Sequence, residues 1–175
     1  MASLVDLQNR VALVTGAGRG LGAAIVRQLA KQGAEIAFTY KSDSETAAAL
    51  EKEIHALGRR CISLLGCVSD YNRAQQIVDE TCSKLGGLHI LVCNAGVASS
   101  APIVRMSEND WDEVMAVSLK GAFNYIRAAA PLLIQQAYGK IICVGSINGL
   151  RGRMGTASYN TAKAGLLGLV KTAAS

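Results

Sequence analysis

Residues 15–22 read Thr-Gly-Ala-Gly-Arg-Gly-Leu-Gly, between a short apolar run and a longer apolar segment with helical spacing. The glycines at Gly16, Gly20 and Gly22 fit the spacing GxxxGxG. The usual GxGxxG pattern fails because Leu21 fills its third glycine position, and a Walker loop is excluded because no Gly-Lys-Ser/Thr follows. The stretch predicts a sharp turn from a strand into a helix.

A turn of this composition at the start of a helix suits an anionic ligand. Glycines let the backbone approach a pyrophosphate, and the free amides of the helix N-terminus supply donors. An ordinary tight turn is the alternative, and the position directly after the first predicted strand favours binding. The predicted dinucleotide contacts in this turn are Gly16, Gly18, Arg19, Gly20 and Leu21.

Strands and helices alternate along the rest of the chain. The predicted strands are nearly continuous apolar runs at Arg10 to Thr15, Glu35 to Thr39, Cys61 to Gly66, His89 to Asn94 and Lys140 to Gly145. The predicted helices are Leu21 to Gln32, Glu45 to Leu57, Tyr71 to Leu85 and Ser107 to Gln136. The last helix opens with the capping pattern Ser107-x-x-Asp110, and Pro131 is expected to kink it. The alternation predicts an α/β fold, a three-layered, doubly wound parallel sheet of the Rossmann type, in one domain over residues 1–175.

Composition and charge argue against several classes of function. The chain has no apolar run of transmembrane length and its first ten residues lack the layout of a signal peptide, so we expect a soluble, cytoplasmic protein without a membrane partner. A net charge of +5 with scattered basic residues argues against a nucleic-acid partner. The two histidines lie apart, and the widely spaced cysteines form no CxxC pair, so neither a metal site nor a disulfide framework is predicted. The cysteines are expected to act as small buried apolar residues.

The cofactor can be chosen from the charge at the end of the second predicted strand. An NAD site places an acid there for the ribose hydroxyls, whereas a 2'-phosphate requires a cation. The segment Thr39-Tyr40-Lys41 carries no acid, and Arg19 is expected to reach the same place. NADP(H) is therefore predicted over NAD(H), with Tyr40 and Lys41 as contacts. The alternative is that both cations are solvated surface charges.

Tyr159 and Lys163 stand four residues apart in a predicted helix and therefore share one of its faces. An ammonium group next to a phenol stabilises the phenolate, which allows proton exchange near neutral pH. Such a pair also arises by chance, so it needs support from elsewhere. Ser146 supplies it, because it lies just past the fifth predicted strand, where its hydroxyl can donate to a substrate carbonyl.

Together these residues resemble a classical short-chain dehydrogenase/reductase, with most likeness to the 3-oxoacyl-[acyl-carrier-protein] reductase group. The resemblance rests on residues 15–22, the turn Asn94-Ala95-Gly96, Ser146, Tyr159 and Lys163. It implies that Tyr159 is the general acid in reduction, that Ser146 polarises the carbonyl, and that Lys163 binds the nicotinamide ribose. Asn94, Ala95 and Gly96 would then shape the floor of the cofactor site.

The resemblance is imperfect at three positions. Ser118 stands where the family has an asparagine that holds a water for proton relay, and we expect it to hold that water less well. Cys67 replaces an aspartate that touches the adenine, which Val68 is expected to flank, and Cys93 replaces the first asparagine of an NNAG turn. Weaker cofactor binding is the expected result.

Family members continue beyond the helix that carries Tyr159, whereas this sequence ends within it, at residues 173–175. The last strands of the family fold are therefore expected to be missing, which would expose an apolar sheet edge. The chain is then either a fragment or has that edge covered by a partner. The resemblance also implies a homo-oligomer, either a tetramer or a dimer.

The leading hypothesis is an NADPH-dependent oxidoreductase that reduces a carbonyl to an alcohol. Its substrate would be a 3-oxoacyl thioester, as in fatty acid biosynthesis, or a similar ketone. The alternative is a catalytically weak NADP-binding protein, either a regulatory subunit or a truncated isoform, as Ser118 and the missing segment suggest. A methyltransferase on a similar sheet is disfavoured, because it leaves Ser146 and Tyr159 without a role.

Overall fold

Parallel strands form a five-stranded sheet in the computed structural model, which describes residues 5–175. The strands are β1 (Val11–Val14), β2 (Glu35–Tyr40), β3 (Cys61–Leu65), β4 (Ile90–Cys93) and β5 (Lys140–Cys143). Their order is β3-β2-β1-β4-β5, so the winding reverses between β1 and β4. In such a sheet the reversal opens a crevice at the carboxyl ends of the strands. Residues 1–4, part of the segment inspected for a signal peptide, lie outside the described residues.

Helices cover both faces of the sheet. They are α1 (Gly20–Lys31), α2 (Ser44–Ala56), α3 (Tyr71–Leu85), α4 (Glu108–Met115), α5 (Gly121–Gln135) and α6 (Ala157–Ala173). On one face, Val26 of α1 and Leu50 of α2 belong to the same apolar cluster as Phe38 of β2. On the other face, Ile77 of α3 and Leu91 of β4 belong to a second cluster. The three-layered, doubly wound α/β fold is therefore confirmed.

The long helix predicted over residues 107–136 is wrong as one regular helix. A π-helical segment, Ala116–Lys120, joins α4 to α5. Apolar periodicity does not reveal this local change in hydrogen bonding, which places one extra residue in the turn. The predicted cap is confirmed, since Ser107 Oγ accepts a hydrogen bond from the Asp110 amide at 3.1 Å. Pro131 lies inside α5.

The strand β5 forms one edge of the sheet within the described residues. Its Ile142 side chain is 50% exposed, as expected for an apolar edge without a neighbouring strand. Over residues 5–175, no helix has both the length and the apolar character needed to cross a membrane. Among these residues, no group of three His, Cys, Asp or Glu side chains lies close enough together to hold a metal ion.

Candidate functional site

A crevice of about 440 Å³ lies at the carboxyl ends of β1 to β4, a volume typical of small-molecule sites. The predicted cofactor contacts that line it are Gly16, Gly18, Arg19, Gly20, Leu21, Tyr40, Lys41, Cys67, Val68, Asn94, Ala95 and Gly96. Two predicted catalytic residues, Ser118 and Lys163, lie directly beside this crevice, behind Gly96. A Cβ on Gly96 would lie 3.5 Å from Ser118 Oγ and 3.7 Å from Lys163 Nζ.

The glycine turn packs directly on the segment that follows β4. Gly16 has a φ of +62°, and a Cβ there would lie 2.9 Å from Ala95. A Cβ on Gly22 would lie 2.5 Å from Asn94 Nδ2, which donates hydrogen bonds to the carbonyls of Thr15 and Gly16 at 2.9 and 3.1 Å. Side chains at these glycines would therefore push the turn away from its support.

Two buried threonines that the sequence analysis missed hold this turn in place. Thr15 Oγ1 accepts hydrogen bonds from the amides of Asn94 and Ala95, each at 3.1 Å. Thr39 Oγ1, at the end of β2, accepts one from the Gly16 amide at 2.9 Å. Both threonines are at most 2% exposed. A threonine directly after a buried apolar strand, facing a glycine turn, is the signal that could have identified Thr15.

The N-terminus of α1 opens toward the crevice without a side-chain cap, because its N-cap residue Arg19 makes no capping hydrogen bond. By contrast, Asp43, Asp70 and Ser107 cap α2, α3 and α4 through their side chains. The first amides of α1 are thus available to a ligand, and the helix dipole favours an anion there. At Gly20, the first residue of α1, a Cβ would meet nothing within 4 Å, so this open end fits the pyrophosphate of a dinucleotide.

The charges at the end of β2 are more mixed than the sequence analysis expected. Arg19 and Lys41 line the crevice, but so does Asp43. The Asp43 carboxylate accepts hydrogen bonds from the Thr46 amide and hydroxyl, which lower its pKa, and the Arg19 charge lowers that pKa further. Each Asp43 oxygen accepts one hydrogen bond from Thr46 and keeps further acceptor capacity, so an acid and two cations are all open to a ligand at this end. Lys41 Nζ lies 3.9 Å from Glu113, and its side chain is 68% exposed.

Next to the end of β2, the segment after β3 lines the crevice with Gly66, Cys67 and Val68. The Cys67 thiol contacts Ser69 Oγ at 3.1 Å. The Val68 carbonyl accepts a hydrogen bond from Asn124 Nδ2 at 2.9 Å, which fixes the backbone that borders the crevice. A thiol is a weaker hydrogen-bond partner than a carboxylate, so Cys67 offers an adenine less than the expected aspartate would.

Lys163 extends from α6 toward the end of β5. It is 4% exposed, and its Nζ donates a hydrogen bond to the Val144 carbonyl at 2.6 Å. Burial lowers its pKa, against an opposing contribution from the neighbouring Cys143. The same Nζ lies 5.7 Å from the centre of the Tyr159 ring. The helix therefore places the ammonium and phenol groups side by side, as the four-residue spacing predicts.

Ser146 begins a short 3₁₀ turn, Ile147–Gly149, directly after β5. Its Oγ accepts a hydrogen bond from the Asn148 amide at 3.2 Å, an interaction that leaves the hydroxyl proton available to donate. Gly149 was not anticipated from the sequence, yet a Cβ there would lie 2.8 Å from the Lys163 backbone. This close approach packs the turn with Ser146 onto the part of α6 that carries Lys163.

Ser118 lies in the π-helical segment and is 2% exposed. Its Oγ accepts a hydrogen bond from the Val97 amide at 3.0 Å and donates one to the Val97 carbonyl at 2.9 Å. A serine hydroxyl has a single proton, so this pairing leaves only acceptor capacity for a water. A proton relay through Ser118 stays a prediction and would require the bond to Val97 to break.

Comparison with known proteins gives a consistent result. The family described as short chain dehydrogenase matches residues 10–175. The 3-oxoacyl-[acyl-carrier-protein] reductase FabG of Staphylococcus aureus is 40% identical over 166 residues, which cover 95% of this chain and 68% of that protein. The 3-oxoacyl-[acyl-carrier-protein] reductase of a Synechocystis species is 36% identical over 171 residues, with coverage of 98% and 69%.

Solved structures agree with the sequence comparisons. A putative short-chain alcohol dehydrogenase from Sinorhizobium meliloti superimposes with a TM-score of 0.90 at 36% identity, covering 94% of this chain and 65% of that one. An NAD⁺-bound xylitol dehydrogenase gives a TM-score of 0.91 at 29% identity, covering 95% of this chain and 64% of that one. The chain thus spans slightly less than two thirds of the length of these structures.

Proposed function

The chain belongs to the short-chain dehydrogenase family, a family of oxidoreductases, and from this premise we propose that it reduces a carbonyl to an alcohol with NADPH. The proposed substrate is a 3-oxoacyl thioester or a similar ketone, by analogy with the relatives named 3-oxoacyl-[acyl-carrier-protein] reductase. In the same proposal the protein is a cytoplasmic homo-oligomer, either a dimer or a tetramer.

The observation that carries the proposal is the position of the Lys163 ammonium group next to Gly96, which lines the crevice. The ammonium group lies 3.7 Å from the point where a Gly96 Cβ would be, at the edge of a crevice that the glycine turn also lines. A dinucleotide whose pyrophosphate lies on the amides of α1 would extend along the floor formed by Asn94 and Gly96 toward this group. When bound, the cofactor supplies the hydride.

The residues of this chain then bind, polarise and protonate the substrate. The Ser146 hydroxyl donates a hydrogen bond to the substrate carbonyl, which draws electron density onto its oxygen. Tyr159 gives its phenolic proton to that oxygen, and the Lys163 charge stabilises the phenolate that remains. Lys163 also binds the ribose through the N–H donors that its hydrogen bond to Val144 leaves free.

The preference for NADPH rests on Arg19 and Lys41, which border the crevice after β1 and β2. Both side chains are long cations that can pair with a 2'-phosphate. Asp43 is the acid that could instead bind ribose hydroxyls, but it also caps α2 through Thr46, and the two cations outnumber it. The balance of available groups therefore favours the phosphorylated cofactor.

A catalytically weak NADP-binding protein is the second candidate, and the pairing of Ser118 with Val97 favours it. If proton resupply to Tyr159 depends on a water at this position, a hydroxyl that donates to Val97 would slow turnover without weakening cofactor binding. The two candidates therefore differ in turnover and not in affinity.

NADPH consumption with acetoacetyl thioesters and a panel of ketones tests the proposal. The wild-type protein is expected to turn over, and Tyr159→Phe is expected to lose activity while binding NADPH normally, as followed by cofactor fluorescence. Tyr138→Phe is the matched control, because the Tyr138 ring lies under the Arg10 guanidinium and edge-on to His89, away from the crevice. Normal NADPH binding without turnover in the wild type would favour the second candidate, and equal activity in both variants would refute the role of Tyr159.

A further inference from the structure

Two cysteines lie side by side on neighbouring strands. Cys93 ends β4 and Cys143 ends β5, and the two residues are direct partners in the parallel register. The Cys93 carbonyl accepts a hydrogen bond from the Val144 amide at 3.0 Å, which fixes this register at the cysteines. Both side chains belong to the apolar cluster on the face covered by α3 and α5, so the thiols point to the same side of the sheet.

We propose that Cys93 and Cys143 form a thiol-oxidation site, at which a hydroperoxide converts the two thiols into a disulfide. Neighbouring strands lie about 4.8 Å apart, which falls within the Cα separation that a disulfide spans. The register therefore places the two Cα atoms within the separation that a disulfide spans. This site is independent of the proposed reductase activity.

The two thiols have different roles because their surroundings differ. Cys143 is partly exposed, and its pKa is lowered by a hydrogen bond from Cys93 and by the nearby Lys163 charge, against the effect of burial. Cys93 is 5% exposed and its thiol donates to the Ala122 carbonyl at 3.9 Å, and the neighbouring Cys143 together with burial raises its pKa. Since a thiolate is the reactive form, Cys143 is the group that attacks the peroxide and Cys93 the group that resolves the product.

The reaction balances with the peroxide as the only oxidant. The Cys143 thiolate attacks one peroxide oxygen, so an S–O bond forms, the O–O bond breaks, and hydroxide or alkoxide leaves with the electron pair. The Cys93 sulfur then attacks the Cys143 sulfenic acid, so the S–S bond forms, the S–O bond breaks, and water leaves with the thiol proton. Both sulfurs are oxidised, and the peroxide is reduced to water or to water and an alcohol.

The other thiols lack this arrangement in the described part of the chain. Burial raises the pKa of Cys61 to about 12, and burial also raises the pKa of Cys82. Cys67 contacts a serine hydroxyl. Oxidation is therefore expected to produce one specific cross-link and not a mixture.

The cross-link would join the two strands that lead into the candidate site. β4 runs directly into Asn94, which holds the glycine turn, and β5 leads to Ser146 three residues after Cys143. A covalent bond at this point would fix the spacing between the cofactor floor and the turn that carries Ser146. Oxidation of the two thiols would thus restrict movement of the strands at the base of the crevice.

Peptide mapping of the native protein tests the proposal without any variant. After treatment with hydrogen peroxide and blocking of free thiols, trypsin should release residues 85–105 joined to residues 141–151, and each of these peptides contains one cysteine. The linked species should lack two hydrogen atoms and should separate on reduction. Absence of the linked peptide, with sulfenic acid or mixed disulfides on Cys67 or Cys82 instead, would overturn the proposal.

Serine variants then assign the roles. Cys93→Ser should accumulate a sulfenic acid on Cys143 that dimedone traps, whereas Cys143→Ser should leave Cys93 unlabelled. Cys82→Ser is the matched control and should form the cross-link at the wild-type rate. Dimedone labelling of Cys93 in the Cys143→Ser variant, at the rate seen for Cys143, would contradict the assigned order of attack.

Discussion

Replacing Thr15 by valine keeps the shape of the side chain and removes only its hydroxyl. That hydroxyl accepts hydrogen bonds from the amides of Asn94 and Ala95 and lies 3.4 Å from the Val92 carbonyl. Thr15 is 2% exposed, so water has little access to replace the lost acceptor. The substitution therefore leaves the Ala95 amide without its acceptor, whereas the Asn94 amide keeps a hydrogen bond to the Val92 carbonyl at 3.1 Å.

A buried amide left without an acceptor costs about 1–3 kcal/mol, so the expected loss for Thr15→Val is about 1–3 kcal/mol. For a chain of this size each kcal/mol lowers Tm by about 2–4 °C, so Tm should fall by roughly 2–12 °C. NADPH affinity should fall as well, because the Thr15 hydroxyl holds the Asn94 and Ala95 backbone under the glycine turn.

Urea unfolding followed by circular dichroism measures the stability, and fluorescence titration measures NADPH affinity. Thr81→Val is the matched control, since Thr81 is fully buried and its hydroxyl donates only to the Ile77 carbonyl one helical turn away, at 2.7 Å. The control should cost less than Thr15→Val and leave NADPH affinity unchanged. Equal stability losses in the two variants, with NADPH affinity retained in Thr15→Val, would refute the reasoning.

Three further predictions concern a glycine, a surface cation and a buried cation. Gly22→Ala should lower the free energy of unfolding in urea by about 1–3 kcal/mol, because its Cβ would lie 2.5 Å from Asn94 Nδ2. Gly168→Ala is the control and should raise the free energy of unfolding by about 0.5–1 kcal/mol, because a Cβ there would meet nothing within 4 Å. Equal effects of the two substitutions would contradict the close packing at Gly22. Lys41→Glu should lower NADPH affinity about tenfold in a fluorescence titration but not NADH affinity, and an equal loss for both cofactors would contradict the 2'-phosphate contact. Because burial lowers the pKa of Lys163, its charged form destabilises the folded state at neutral pH, and this cost fades as pH rises through the lowered pKa toward that of the unfolded chain. Wild type should therefore gain stability relative to Lys163→Met in urea unfolding as pH rises toward the ordinary lysine pKa of about 10.4, and a constant difference would contradict this prediction.

The sequence was sufficient for the architecture because its signals are local. Continuous apolar runs, helical spacing and the glycine turn at residues 15–22 each depend on neighbours in the chain, and the strands and most helices follow them within two residues. The residues lining the crevice followed from the same logic, since parallel strands bring the segments after β1, β2 and β4 to one edge. The pairing of Tyr159 with Lys163 likewise needs only one helical turn.

What the sequence could not predict depends on contacts between distant segments. The hydrogen bonds from Thr15 to the Asn94 and Ala95 amides need the register of β1 against β4, and the neighbouring positions of Cys93 and Cys143 need that of β4 against β5. The engagement of Ser118 with Val97 depends on the π-helical segment, which changes the direction of a side chain without changing apolar periodicity.

If the crevice holds NADP(H) with its nicotinamide end beside Tyr159 and Lys163, a crystal structure of the complex with NADP⁺ will show it. We expect the pyrophosphate on the first amides of α1, the 2'-phosphate beside Arg19 and Lys41, and the nicotinamide ribose within hydrogen-bond distance of Lys163 Nζ. A cofactor bound elsewhere, or a Tyr159 hydroxyl turned away from the nicotinamide, would rule out this binding mode.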